Sequence, residues 1–167
     1  DVTLTYDITP KTVINFLNYL NKGAYTNTIF HRSVSGFVVQ AGGYQLQNGK
    51  IVDTPNDPPV VNEYNQSNLR GTIAMARSSA PNSATSQWFF NVSDNTTQFA
   101  PGGNSTDGYA AFGHVIGTGM SLRASDVAIR QTRIETDGLR EEFHSHISCF
   151  LKPPAPCLRH NLLPFVF

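Results

Sequence analysis

The chain has little cysteine, little charge and no long apolar run. Only 2 of its 167 residues are cysteine and 14% are charged, with 12 basic and 12 acidic residues and a formal net charge of zero. Without a surplus of one sign, no large field steers the protein towards nucleic acid or an anionic membrane surface. No apolar run approaches the length of about 20 residues that a helix needs to span a bilayer. We therefore expect no nucleic acid or membrane partner, and a peptide or protein partner instead.

Both cysteines, Cys149 and Cys157, lie near the C-terminus beside His146 and His160. Thiolate and imidazole are zinc ligands, but the spacing of the four residues matches no common zinc module. We expect no metal and unpaired thiols, with a disulfide between the two cysteines as the alternative.

Size and pattern predict one domain over residues 1–167. A chain of 18.3 kDa with 40% apolar residues can bury a sizeable core. Val2 to Asp7 alternates as a strand should, and Thr9 followed by Pro10 predicts a helix start, with the helix ending near Asn21. Short strands at 71–76, 87–92 and 109–116 then follow a long surface loop at 44–68. Many short strands joined by turns indicate a closed antiparallel barrel.

The segment 30–43 predicts a β-hairpin, in which two apolar runs flank a Ser-Gly turn at 35–36. With a three-residue loop, Arg32 lies opposite Gln40 and their Cβ atoms are about 5 Å apart. With a two-residue loop, Arg32 pairs with Val39 instead and Gln40 turns to the other face. The sequence alone leaves both registers open.

These residues resemble the signature of the cyclophilin family of peptidyl-prolyl cis/trans isomerases. The match runs from about Val2 to Met120, and the tail at 121–167 diverges. Within the match, the residues of the motifs are most similar to those of bacterial, exported-type cyclophilins. Besides the hairpin, the motifs that carry the resemblance are Pro10–Phe16, Arg70–Ala76, Ser83–Phe90 and Tyr109–Gly113.

The resemblance implies a mainly β fold, an eight-stranded barrel capped by two helices. It also implies isomerisation of X-Pro bonds in unfolded or flexible polypeptides, without a cofactor, by a monomer. In the tail, 122–134 is the candidate second helix and 162–167 the candidate last strand. Export to the bacterial periplasm is the expected location, with the cytoplasm as the alternative, and the start of the chain directly on a strand is compatible with removal of a leader.

Site residues follow from the chemistry together with the resemblance. An arginine N–H directed at the prolyl nitrogen favours the twisted transition state, which makes Arg32 the candidate catalytic group. Gln40 is expected to orient that guanidinium and to bind a substrate carbonyl, and Phe37 completes the catalytic set. By resemblance, the residues that hold the proline ring and the flanking backbone are Val38, Met75, Ala76, Arg77, Phe89, Phe99 and Tyr109.

One alternative competes with catalysis. Each of these residues taken singly is typical of an ordinary β-protein core or surface, so a non-catalytic module or chaperone that binds proline segments stays open. Many eukaryotic cyclophilins bind ciclosporin through a tryptophan in the loop before the strand that starts here at Tyr109. The only tryptophan of this chain is Trp88, in a strand motif, so we expect weak affinity for ciclosporin.

Overall fold

The computed structural model describes residues 1–117. The candidate helix at 122–134, the candidate last strand at 162–167 and the cysteine and histidine pattern lie outside the described residues. The described part is mainly β, as predicted, and has eight strands and two helices, but its second helix, at Thr96–Phe99, was not predicted. In chain order the elements are β1 (Val2–Leu4), α1 (Pro10–Asn21), β2 (Arg32–Ser33), β3 (Val38–Ala41), β4 (Tyr44–Gln47), β5 (Lys50–Asp53), β6 (Thr72–Met75), β7 (Trp88–Asn91), α2 (Thr96–Phe99) and β8 (Ala111–Val115).

Six strands form one antiparallel sheet in the order β1-β8-β6-β7-β3-β2. The hairpin β4–β5 is attached through the chain before β2, where the Ile29 N–H donates to the Tyr44 carbonyl at 3.0 Å and the Leu46 N–H donates to the Asn27 carbonyl at 2.9 Å. Within residues 1–117 the ladder is open, since β1 pairs only with β8 and β5 only with β4. None of the helices in these residues is long and apolar enough to cross a membrane.

The hairpin β4–β5 corrects the prediction of an unstructured loop from residue 44 to 68. Its turn is formed by Asn48 and Gly49, with φ of 50° and 74°. Positive φ at both central residues is the mark of a type I′ turn, for which Asn-Gly is the preferred pair. The prolines that break regular structure come only after this hairpin, at 55, 58 and 59.

Helix α1 follows the prediction, but its N-terminus is capped differently. Thr9 makes no side-chain cap bond to the first turn. The carboxylate of Glu63 instead accepts hydrogen bonds from the N–H of Thr12 at 2.8 Å and of Lys11 at 3.3 Å. A carboxylate also complements the positive end of the helix dipole. The cap thus comes from a residue far along the chain, which local sequence patterns do not reveal.

The two faces of the sheet carry two separate apolar clusters. The larger lies under α1, where Phe16 packs against Tyr25 with ring centroids 5.2 Å apart and against Trp88 at 6.3 Å. The smaller, on the other face, contains Val38, Ala74, Phe89, Phe99 and Ala111, with Phe37, Ala76 and Tyr109 packed against it. The predicted site residues are concentrated on this second face.

Candidate active site

The β2–β3 hairpin adopts the register that places Arg32 opposite Gln40. Its loop has three residues, because the Val34 N–H donates to the Val38 carbonyl at 2.9 Å and the loop residue Phe37 follows Gly36, whose φ is 69°. A glycine tolerates this left-handed conformation at no steric cost. Of the two registers left open by the sequence, the three-residue loop is therefore correct.

One row of paired residues runs across five strands on the face of the smaller cluster. Arg32 in β2 pairs with Gln40 in β3, and Gln40 pairs with Phe89 in β7. The row continues from Phe89 to Ala74 in β6 and on to Ala111 in β8. Cross-strand partners project to the same face of a sheet. The register alone therefore places the guanidinium, the amide and the aromatic ring side by side.

The Arg32 side chain is exposed at the end of this row. Its guanidinium carbon lies 5.6 Å from the centroid of the Phe37 ring, within the range of a cation–π contact. Among residues 1–117, the guanidinium makes no hydrogen bond and no ion pair with another side chain. Its N–H donors are therefore available to an incoming peptide.

Gln40 is held by a residue that sequence reasoning missed. The Gln40 Nε2 donates to the Oε1 of Gln87 at 2.8 Å, so Gln40 is oriented by Gln87 rather than tied to Arg32. Gly43 leaves room for this partner, since a Cβ there would lie 2.8 Å from Gln87. Gln87 stands inside the Ser83–Phe90 motif, directly before β7 and two residues before Phe89, the ladder partner of Gln40. Because alternate residues of an extended chain face the same side, the correct register is the signal that could have found Gln87.

His31 directly precedes β2 and is half-buried. Its ring packs edge-on against Tyr44 with centroids 4.9 Å apart. Burial lowers the pKa of His31 and the Arg32 charge lowers it further, while hydrogen bonds with the Ile29 backbone and with Gln87 partly offset this. Its packing against Tyr44 fits a structural role for His31.

Four aromatic rings form an apolar cup beside Arg32, which we call the aromatic cup: Phe37, Phe89, Phe99 and Tyr109. Phe99 is its centre, with ring centroids 5.2 Å from Phe37, 5.0 Å from Phe89 and 4.7 Å from Tyr109. Val38 forms the buried floor and Ala76 packs at the margin. Helix α2 presents Phe99, whose N–H donates to the Asn95 carbonyl at 2.9 Å. A cup of this kind suits a small apolar ring such as that of proline.

Met75 does not belong to the cup, and this prediction is wrong. Residues alternate along β6, so Ala74 faces the cup while Met75 pairs with Trp88 and is buried in the larger cluster under α1. The family motif is present in the sequence, but neighbouring residues of a strand point to opposite faces of the sheet, so Ala74 and Met75 lie on different sides.

Arg77 is brought to the rim of the cup but is already committed. Its guanidinium carbon lies 4.6 Å from the centroid of the Tyr109 ring. The Nη2 donates to the Gly108 carbonyl at 2.7 Å and to the Ser105 hydroxyl at 2.8 Å. Arg77 therefore ties the loop that precedes Tyr109 to the end of β6, and its contact with a peptide backbone stays a prediction.

Comparisons with known proteins identify the family of the chain. Residues 1–136 match the family model of cyclophilin type peptidyl-prolyl cis-trans isomerases, which extends past the motifs recognised in the sequence. A peptidyl-prolyl cis-trans isomerase A of Dickeya dadantii is 42% identical over 132 residues, which cover 78% of this chain and 64% of the relative. A peptidyl-prolyl cis-trans isomerase B of Escherichia coli is 39% identical over 141 residues, covering 81% of this chain and 84% of the relative.

The fold is also that of solved cyclophilins. A crystal structure of a cyclophilin type peptidyl-prolyl cis-trans isomerase of Cryptosporidium parvum, in the presence of the dipeptide Ala-Pro, superposes with a TM-score of 0.56 at 27% identity, over 72% of this chain and 74% of that one. A cyclophilin of Hirschia baltica shares the fold with a TM-score of 0.56 at 17% identity, over 74% of this chain and 62% of that one. The chain belongs to the cyclophilin family of peptidyl-prolyl cis-trans isomerases.

Proposed function

We propose that this protein catalyses the cis/trans isomerisation of X-Pro bonds, with Arg32 as the catalytic residue and the aromatic cup as the proline site. The observation that carries the proposal is the row Arg32, Gln40 and Phe89 across three adjacent strands. This row supports the proposal because it aligns an exposed cationic residue with an amide and an aromatic ring on one face of the sheet.

The reaction needs neither a nucleophile nor a metal. The rotational barrier of about 18–20 kcal/mol arises from resonance between the amide nitrogen and the carbonyl. An Arg32 N–H that donates to the prolyl nitrogen binds more strongly as that nitrogen becomes pyramidal, so it stabilises the twisted state over both planar states. A millionfold acceleration corresponds to about 8 kcal/mol. Preorganised hydrogen bonds in a desolvated cup are of the right size to supply it.

Two further observations support this assignment. The amide nitrogen of Gln40 is fixed by Gln87 at 2.8 Å, so its oxygen and its second N–H stay available to the peptide backbone next to the proline. The Cryptosporidium parvum relative was crystallised in the presence of Ala-Pro, and we propose an alanyl-prolyl segment of a flexible polypeptide as a suitable ligand here as well.

We also propose the finer points of architecture and location. The eight strands would close into one barrel, a proposal supported by the attachment of β4 to the chain before β2. Residues 1–167 would form one domain that acts as a monomer, as expected for the family. The similarity of the motifs to those of bacterial, exported-type cyclophilins supports a location in the periplasm or outside the cell.

The test is a protease-coupled assay of the full chain on a tetrapeptide containing Ala-Pro, together with exchange spectroscopy of the same peptide by NMR. A cyclophilin-type enzyme accelerates cis/trans exchange at substoichiometric concentration. A protein that binds the peptide and shifts its resonances but leaves the exchange rate unchanged is a binding module, and this outcome would refute the proposed function.

A further inference from the structure

Three buried asparagines form a continuous chain of side-chain hydrogen bonds behind the aromatic cup. Asn95 Nδ2 donates to the Oδ1 of Asn91 at 2.8 Å, and Asn91 Nδ2 donates to the Oδ1 of Asn68 at 3.0 Å. Asn68 and Asn91 have no exposed surface and Asn95 is 1% exposed. We call Asn68, Asn91 and Asn95 the asparagine relay.

Both ends of the relay terminate on the backbone of the cup. At one end, Asn95 Nδ2 also donates to the carbonyl oxygen of Phe37 at 2.9 Å. At the other, Asn68 Nδ2 donates to the carbonyl oxygen of Tyr109 at 2.9 Å. Phe37 and Tyr109 stand on either side of Phe99, so the relay spans the cup from wall to rim.

Backbone bonds close the relay into a ring around Phe99. The Asn95 N–H donates to the Asn68 carbonyl at 3.0 Å, and the Asn95 carbonyl accepts from the Phe99 N–H at 2.9 Å. The Phe99 carbonyl in turn accepts from the Tyr109 N–H at 3.0 Å. The positions of three of the four aromatic residues are therefore linked through asparagine amides.

An asparagine amide suits this task because it donates and accepts at the same time. Each of the three asparagine side chains makes at least two hydrogen bonds. Asn91 Nδ2 donates its second hydrogen bond to the Thr72 hydroxyl at 2.8 Å. A fully satisfied buried network is rigid and specifies one geometry, whereas a broken one leaves buried groups unpaired. An apolar residue would fill the same volume without fixing the carbonyls of Phe37 and Tyr109.

We infer that Asn68, Asn91 and Asn95 are positioning residues that set the width of the aromatic cup and thereby the affinity for the prolyl ring. The inference rests on the proposed function, since it concerns how that site binds its substrate. The relay does not touch Arg32, so it contributes to binding of the proline and not to the twisting of the bond.

The test is Asn91→Ala, which removes the middle link and leaves every side chain of the cup unsubstituted. Isomerisation is measured over a range of tetrapeptide concentrations, well below the unfolding temperature. We expect KM to rise at least fivefold while kcat stays within twofold of wild type. Loss of stability alone lowers the fraction of folded enzyme, so it would reduce the apparent kcat and leave KM unchanged.

Gln45→Ala is the matched control. Gln45 is also a buried amide, and its Nε2 donates to a backbone carbonyl, that of Ala24, at 2.5 Å, but it lies in β4 and not at the cup. Its removal is expected to lower the melting temperature with no change in KM. An unchanged KM in Asn91→Ala, or an equal rise in both variants, would overturn the inference.

A measurement on the wild type covers the case in which Asn91→Ala does not fold. We expect the side-chain amide resonances of Asn68 and Asn95 to shift during titration with the tetrapeptide, while those of Gln45 stay in place. Peptide binding without any shift at the asparagines would overturn the inference and leave the proposed function standing. A wild-type protein that neither binds nor isomerises the peptide would refute the proposed function itself, and the inference with it.

Discussion

The guanidinium carbon of Arg32 lies 5.6 Å from the centre of the Phe37 ring. The two residues belong to the same hairpin, Arg32 on its first strand and Phe37 in its three-residue loop. The contact holds the cation at the edge of the aromatic cup. Register and turn chemistry thus position the proposed catalytic residue within one short segment.

Replacement of Arg32 is the most direct test of this arrangement. We expect Arg32→Ala to lower kcat/KM at least a hundredfold, which corresponds to about 3 kcal/mol of lost transition-state stabilisation. The exposed side chain makes no hydrogen bond within residues 1–117, so the melting temperature should change little. Arg32→Lys should also be poor, because an ammonium cannot copy the planar fork of donors.

Lys50→Ala in the β4–β5 hairpin is the control, since it removes an exposed cation away from the cup. Its activity should equal that of wild type. Activity of Arg32→Ala within fivefold of wild type would contradict the catalytic assignment.

The Gln40–Gln87 bond of 2.8 Å predicts energetic coupling between the two amides. If Gln87 acts by orienting Gln40, the loss of kcat/KM in Gln87→Ala and in Gln40→Ala should not add in the double variant. Residues in one hydrogen-bond network show interaction energies of about 0.5–3 kcal/mol. We therefore expect a double-mutant cycle on kcat/KM to give a coupling of about 1 kcal/mol. Additive losses would mean that each glutamine contacts the peptide independently.

We expect the free energy of unfolding to decrease as the pH falls, because of the change in the pKa of His31 on folding. Its pKa is lowered in the folded protein, mainly by burial and then by Arg32. As pH falls below the unfolded value of about 6.5, the unfolded chain takes up a proton while folded His31 stays neutral. The folded state therefore loses stability through this window, and the loss ends once pH has passed the lowered pKa.

This contribution is checked by comparing melting temperatures near pH 7.5 and near pH 5. We expect the decrease between the two to be smaller in His31→Gln than in wild type. His114→Gln, at an exposed position of β8, controls for the removal of a histidine as such. An identical decrease in wild type and His31→Gln would show that other groups carry the pH dependence.

The sequence predicts the elements of this fold better than it predicts their partners. Helix α1 follows from its helical periodicity, because it shows one apolar face. The strands around Ile73 and Phe89 follow instead from short apolar runs, since both of their faces are buried. The Glu63 cap of α1 and the bond between Gln40 and Gln87 join residues distant in the sequence, so no local pattern contains them. The Asn48-Gly49 turn was available in the sequence, but the glycines and prolines around it favoured a loop.

The site residues also differ in how far the sequence predicts their positions. Arg32, Phe37 and Gln40 share one hairpin, so their placement needed only the choice between two registers. Met75 was misplaced because a family motif gives the residue order but not the face, and alternation in β6 puts Ala74 towards the cup. The asparagine relay escaped notice since polar residues in strands and loops are usually taken as solvent-facing.

The cup also predicts a weak response to ciclosporin. The only tryptophan, Trp88, is buried in the larger cluster on the face opposite the cup, so its indole cannot donate to a ligand there. Phe99 fills the place in front of Tyr109 and packs against three aromatic rings, but a phenyl ring has no hydrogen-bond donor. We expect inhibition at least tenfold weaker than for a eukaryotic cytosolic cyclophilin that carries the tryptophan, measured side by side in the same tetrapeptide assay. Nanomolar inhibition would mean that another donor of the rim replaces the indole, and that the cup accepts the drug in a different way.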